Sequence, residues 1–424
     1  MNTDNDKPLK PKNFCSRKKL FVFCIVTLIT LFASTSLFLS HPRTHTGKNE
    51  ALPHHYIGFK DLTPYPTDSS LTPCEDKDRN KRTYDLLGND TLIVIHIQKT
   101  GGSDFLRHVV TVRKNGTILC DLPEYILLRV QKRLSLPKGK QRIFCPKRKS
   151  DANTTQWLLS EKTVGWKCGV HPTFSEYHNC IQDLDVGEGS EYSQYHFMTI
   201  LRHPVLRFLS EFEHVSRGAH WSAIKKCGGK KVTDSEMPPC YPRFYEGESW
   251  PKLTLNDYLA CKSNWAKNRQ VMWLAELETA GCYNPNFENR DALLLASAKC
   301  NLEKLSFFGL TEYQKETAFM FEKVFNVTFS VPPEQYDMTF LHSAPILRDI
   351  WKESDLYERI VAVNDLDMQL YEHALRLFAR RAKTFGLNTD IQKVDESVRE
   401  IHNFNINMTA KKFTKGIFDI SEHT

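Results

Sequence analysis

The sequence predicts an α/β fold built on a parallel sheet, preceded by one membrane-spanning helix. Three observations carry this expectation. Residues 20–40 run for 21 positions without a charge. Two segments about 100 residues apart, 91–110 and 195–217, each read as a buried strand, a tight corner and an amphipathic helix, and repeated strand-to-helix corners imply a parallel core. The 424 residues are 41% apolar and 25% charged, which excludes a disordered chain and a small disulfide-stapled module.

Residues 1–19 read as a cytoplasmic tail, with Lys7, Lys10, Lys12, Arg17, Lys18 and Lys19 against Asp4 and Asp6. The charge-free run meets the roughly 20 residues a helix needs to cross a bilayer core. A cleaved signal peptide has an apolar region of only about 7–15 residues, so an uncleaved signal-anchor is expected, its basic end in the cytosol. Residues 41–85, rich in Pro, Thr, Ser and charge, read as a lumenal stem. The folded domain is expected over 86–386, and 387–424 reads as a C-terminal tail.

A lumenal body agrees with two further features. Sequons start at Asn89, Asn115, Asn153, Asn326 and Asn407, and each marks a surface acceptor for glycan. Ten of the 12 cysteines lie beyond residue 40, an even number that suits disulfides in an oxidising compartment. No Cys-x2-Cys pair exists, so no metal is expected. The spacing predicts local clips joining Cys168 with Cys180 and Cys227 with Cys240, closing loops of 13 and 14 residues.

Within the domain, Thr91-Leu92-Ile93-Val94-Ile95 suits a strand covered on both faces. It runs into His96-Ile97-Gln98-Lys99-Thr100-Gly101-Gly102-Ser103-Asp104, after which Phe105, Leu106, Val109 and Val110 recur at helical spacing. The second unit places a strand at 196–201, a corner at Arg202-His203-Pro204, and a helix faced by Val205, Phe208, Leu209 and Phe212. Residues 218–250 look like a long clipped insertion, and helices are expected over 268–277, 312–325 and 353–384.

A glycine corner between a buried strand and a helix N-terminus is a ready anion site, because unpaired N–H groups and the helix dipole both favour negative oxygens. Here Lys99 precedes Gly101 and Gly102, so the loop is P-loop-like without being the ordinary NTPase pattern, in which Lys follows the glycines. The alternative is a tight turn with a solvated Lys. Outside residues 1–19 the chain carries 51 basic and 48 acidic residues. That balance excludes a general attraction to nucleic acid and leaves polyanion contact to local patches. Lys138-Gly139-Lys140-Gln141-Arg142, Lys147-Arg148-Lys149, and Lys225-Lys226 with Lys230-Lys231 are the candidates.

The loop at 96–102, followed by Leu201-Arg202-His203-Pro204 and Ser210 eight residues after Arg202, resembles the two nucleotide-binding elements of Golgi sulfotransferases. The donor so implied is 3'-phosphoadenylyl sulfate, with its 5'-phosphosulfate in the first loop and its 3'-phosphate on Arg202 and Ser210. Gly165-Trp166-Lys167-Cys168-Gly169-Val170-His171, the stretch from Glu213 to Trp221, Asn268-Arg269-Gln270-Val271, Phe307-Phe308-Gly309-Leu310-Thr311-Glu312 and the stretch from Asn364 to Tyr371 narrow the resemblance to heparan sulfate 6-O-sulfotransferases.

That resemblance implies a single-pass type II Golgi protein that sulfates the 6-hydroxyl of glucosamine in heparan sulfate. His171 would be the base, and Lys99 would neutralise charge on the bridging oxygen of the donor. His96 would serve the donor side, Glu334-Gln335-Tyr336 a third donor segment, and Trp166, His214 and Trp221 the sugar site. Gln141 and Arg142 stand where the family has two substrate-site lysines. Glu161 stands where it has an Arg, and Phe340 replaces the Arg of its Thr-Arg-Ala. One of the two charges at 141–142 is thereby missing, and the departures at Glu161 and Phe340 each remove a cation facing an anion. Two other readings stay open: a heparan-binding homologue that has lost turnover, and a sulfotransferase acting on another glycan position.

Overall fold

The computed structural model describes residues 83–132, 142–147, 156–182, 194–218, 226–238, 240, 254–334 and 354–387. In order along the chain these form β1 (Asp90–Ile95), α1 (Gly102–Val109), β2 (Val112–Lys114), β3 (Thr117–Ile118), α2 (Glu124–Gln131), β4 (Leu158–Leu159), α3 (Phe174–Gln182), β5 (Gln194–Leu201) and α4 (Pro204–Ser216). Then come β6 (Lys226–Cys227), β7 (Lys230–Lys231), α5 (Leu255–Ala260), α6 (Arg269–Leu274), α7 (Arg290–Lys304), β8 (Phe307–Leu310), α8 (Gln314–Phe325), β9 (Thr328–Phe329), α9 (Ser354–Val363) and α10 (Asp365–Thr384).

The central sheet has the order β4-β1-β5-β8, and every pairing is parallel. All six residues of β1 are buried, as expected of an aliphatic run in a sheet covered on both faces. Register aligns Ile95 with Thr199 and Leu201 with Leu310. The segments leaving β1, β5 and β8 therefore emerge side by side at the carboxyl edge, where open parallel sheets bind ligands. Thr311 ties them together: its hydroxyl bonds the carbonyls of Thr100 and Leu201.

Pro204 opens α4, where its fixed φ suits a first helical turn and its missing N–H costs nothing. One face of α4 (Val205, Phe208, Leu209, Phe212, Val215) packs with Tyr258 and Leu259 of α5 and Leu356 and Ile360 of α9. A larger apolar cluster joins the sheet to α1, α3, α6, α7, α8 and α10. At the sheet's margin β2 pairs with β3 and β9. The β2–β3 turn is Asn115-Gly116, both at positive φ, the usual chemistry of a two-residue hairpin.

Several expectations change. The helix expected over 353–384 divides at Asn364, whose amide donates to the Ile360 carbonyl while its side-chain oxygen accepts from Asn268 N. The helix expected over 268–277 ends at Leu274, because the hydroxyls of Ser297 and Ser175 take the amides of Glu276 and Leu277. Cys168–Cys180 forms as expected. Cys227 is joined to Cys282, and Cys240 to Cys261, so the Cys227 to Cys240 clip is wrong. The β6–β7 turn is held against Glu278, which accepts from Gly228 N at 3.0 Å, and Ser263 bonds the Pro238 carbonyl. Each cysteine thus meets a partner distant in sequence. Cys120–Cys145 is a further bond.

Residues 20–40, the stem up to residue 82 and the tail after residue 387 lie outside the described residues. Among the described residues no helix is long and apolar enough to cross a membrane. Asn89, Asn115 and Asn326 are exposed; Asn153 and Asn407 lie outside the described residues.

Candidate active site

The β1–α1 loop is bent by two left-handed residues, Lys99 (φ 65°) and Gly101 (φ 77°). Glycine adopts this conformation freely, but for Lys it is strained, at a cost of order 1–3 kcal/mol, and persists only where surroundings over-determine it. They do. Arg202 Nη1 donates to the Lys99 carbonyl at 3.1 Å, Thr100 Oγ1 to the Ile97 carbonyl at 3.0 Å, and Thr311 holds the Thr100 carbonyl. Gln98 is buried, its side-chain oxygen accepting from Arg269 Nη1 at 3.0 Å. N-cap Gly101 supplies no side chain to the first turn of α1, and its carbonyl takes the Asp104 amide, which leaves the Gly102 and Ser103 amides to an anion.

The cations around this loop crowd one another. Burial, then Arg202 and Arg217, pull the Lys99 ammonium below its ordinary range, and the opposing pull of Glu211 and Glu213 is smaller. His214 Nδ1 lies 3.4 Å from Lys99 Nζ, and burial followed by Lys99 and Arg217 lowers its imidazole. A phosphosulfate would relieve this repulsion, so the residues present fit the donor implied by the sequence. Ser210, half-buried on α4, lies two turns along the helix that follows Arg202.

The Arg202 corner is braced by residues to which the sequence assigned no role. Gln270 spans its backbone, Oε1 accepting from Arg202 N and Nε2 donating to Arg202 O, both at 2.9 Å. Asp367 accepts the amides of Gln270 (3.1 Å) and Val271 (2.8 Å) at the start of α6. Beneath them Glu211 lies between the guanidiniums of Arg207 and Arg269. The signal was present in the Asn268-Arg269-Gln270-Val271 and Asn364 to Tyr371 blocks, but a block names no contact.

The opposite wall is the segment 161–171. Cys168–Cys180 ties it to α3, and Gly165 and Gly169 turn at positive φ. Trp166 is buried, its indole N–H donating to the Gly169 carbonyl and its own carbonyl accepting from Arg142 at 2.8 Å. His171 Nδ1 stands 3.3 Å from the carbonyl of His96, and the two imidazoles are 4.7 Å apart. His96 reaches both ways: Nε2 lies 3.2 Å from Ser103 Oγ, and Nδ1 lies 3.1 Å from Glu161 Oε1. Burial alone would raise the Glu161 carboxyl, but attraction to the nearby His96 outweighs it and holds the carboxyl below its ordinary range.

The structure thus brings His96, Lys99, Ser103 and Arg202 together around the β1–α1 loop, with Glu161 and His171 adjoining through His96; His214, expected at the sugar site, lies beside Lys99 of this loop, and Trp166 packs on Tyr177. Asp104 pairs instead with Arg107 along α1. Glu334, exposed, follows the segment in which the Val331 carbonyl lies 2.8 Å from His108 Nδ1. Gln141, Trp221, Gln335, Tyr336 and Phe340 lie outside the described residues. One proposed basic patch needs correction: Lys147 is buried and donates to the Asn89 carbonyl at 2.9 Å, so it faces inward. Lys226, Lys230 and Lys231 are exposed.

The Sulfotransferase family profile matches residues 82–374, which includes every element from β1 through α9. The chain is also similar to heparan-sulfate 6-O-sulfotransferase 1-B of Danio rerio, at 36% identity over 349 residues that cover 78% of each chain. The chain belongs to the heparan sulfate 6-O-sulfotransferase family. Other similar sulfotransferases include the human heparan-sulfate 6-O-sulfotransferase 1, 36% identical over 84% of this chain and 81% of its own, and the human heparan-sulfate 6-O-sulfotransferase 3, 37% identical over 70% and 59%.

Proposed function

We propose that the chain transfers the sulfuryl group of 3'-phosphoadenylyl sulfate to the 6-hydroxyl of glucosamine residues in heparan sulfate. The observation that carries this reading is His171 hung on the carbonyl of His96, at the mouth of the same loop whose strained Lys99 is gripped by Arg202. With Nδ1–H donated to that carbonyl, Nε2 is the acceptor nitrogen of His171 and takes the hydroxyl proton. The sugar oxygen attacks sulfur in line, the sulfur–oxygen bond to the nucleotide phosphate breaks, and Lys99 offsets the charge left on that phosphate oxygen. Arg202 and Ser210 hold the 3'-phosphate, and no covalent enzyme intermediate forms.

The body of the protein lies in the Golgi lumen behind a type II anchor at residues 20–40. The basic tail before that run and the exposure of Asn89, Asn115 and Asn326 support this topology. Incubating the full chain in detergent with donor and desulfated heparan, followed by disaccharide analysis, tests the reaction. New 6-O-sulfated glucosamine is the expected product. Sulfate at another position would favour a different regiochemistry. Binding without transfer would favour the turnover-deficient reading, which Glu161 at the family's Arg position motivates.

A further inference from the structure

Glu161 stands where the resemblance expects an Arg, and the fold explains where its charge goes. Strand β4 pairs with β1 in parallel, Leu159 beside Ile93, so the residue two places after Leu159 comes level with the end of β1. The turn carrying it is rigid: Ser160 N bonds Thr163 Oγ1 at 2.9 Å, Thr163 N bonds the Ser160 carbonyl at 3.0 Å, and the Lys162 carbonyl accepts Ile143 N at 2.8 Å. The Glu161 side chain is only 6% exposed. Its carboxylate is therefore spent inward on His96 and does not stand in the path of a polyanion.

Burying a carboxylate is costly unless it is paired, and a carboxylate held 3.1 Å from one ring nitrogen of a histidine favours the tautomer that carries its proton there. His96 is the residue on which both halves of the site rest, its Nε2 at the Ser103 hydroxyl of the donor loop and its carbonyl at His171. We propose that Glu161 is a positioning residue: its buried carboxylate, 3.1 Å from Nδ1, keeps the proton of His96 on that nitrogen and draws the ring toward it, and through His96 it aligns Ser103 on the donor side with His171 on the acceptor side. The Arg of the relatives could not do this, because a guanidinium has no acceptor for the Nδ1 proton. This proposal rests on the reaction proposed above.

The test uses the full chain in detergent, labelled with ¹⁵N-histidine, with the His96 signals identified by their loss in His96→Asn. In the wild type Nδ1 carries the proton. In Glu161→Gln the side-chain amide can also donate, and a substantial fraction of His96 loses its Nδ1 proton. Turnover in Glu161→Gln falls about 10- to 100-fold, as for other residues that orient a functional histidine. The KM values for donor and heparan stay within about twofold, and Glu161→Asp recovers part of the rate. Binding of 3',5'-adenosine bisphosphate, also within about twofold of wild type, checks that each variant is folded. Unchanged His96 signals in Glu161→Gln, or unchanged turnover, would overturn the proposal. Absence of product from the wild type would refute the reaction, and the nitrogen signals would still decide the role of Glu161.

Discussion

Replacing His171 with Ala removes the imidazole whose Nδ1 lies 3.3 Å from the His96 carbonyl, the base of the proposed reaction, and a lost general base typically costs 10²- to 10⁴-fold in rate. The expected result is a fall in turnover of about that size, with binding of 3',5'-adenosine bisphosphate retained by calorimetry. Lys99→Ala should damage both, since Lys99 belongs to the donor loop. Part of this was legible in sequence. Lys99 could be chosen because a cation at a glycine corner has a physical use, whereas Arg202 and His171, one of 16 histidines, were reached only through resemblance. The His96–Glu161 contact was not legible, because it depends on the register of β4, a strand only two residues long.

At the scale of elements, the carboxyl edge of the sheet depends on a few small groups. Gly101 sits at φ 77°, and a Cβ there would meet the Thr311 side chain at 3.4 Å. Gly101→Ala should cost about 1–2 kcal/mol through the left-handed backbone and raise KM for the donor more than KM for heparan. Thr311→Val keeps the shape but strands the carbonyls of Thr100 and Leu201, each worth about 1–3 kcal/mol if left buried and unbonded. A lowered urea midpoint, with the same bias toward donor KM, is the expected readout.

The two strand–corner–helix units were readable because their periodicities change sharply at a glycine or a proline. Strand β8 and helix α7 were not anticipated: Phe307-Phe308-Gly309-Leu310 has no alternation, and the apolar positions of α7 are scattered between Lys and Asn. The division at Asn364 was equally hidden, since Leu356 to Leu377 keeps a helical step across it. The break comes from Asn364 turning its side chain to Asn268, a partner 96 residues away.

Across the whole molecule, acid stability should follow His203. This imidazole is fully buried, its ring edge-on to Tyr371, and burial followed by the nearby Arg202 holds it down to about 4. An unfolded histidine titrates near 6.5, so between pH 6.5 and 4 the unfolded chain binds more protons, and folding stability falls as the pH drops through that window. The loss is of order 3 kcal/mol at its foot. Glu312 and Asp367, whose carboxyls burial raises, act in the opposite direction. Comparing urea midpoints of wild type and His203→Gln at pH 7 and pH 5 isolates the term, and the variant should lose less on acidification. Peptide mapping without reduction should recover Cys227 linked to Cys282 and Cys240 linked to Cys261.

The brace on Arg202 also sets a timetable. Gln270 grips Arg202, and the start of α6 hangs from Asp367, which is translated 165 residues after Arg202. At about 5–20 residues per second, that interval is roughly 8–33 s. Through it the emerging polypeptide holds the donor loop and its cations without the part that locks them in place. Nucleotide capture is therefore a late event in biosynthesis, and a ribosome stopping between codons 217 and 367 releases a product with every cation of the donor loop and no functioning donor site.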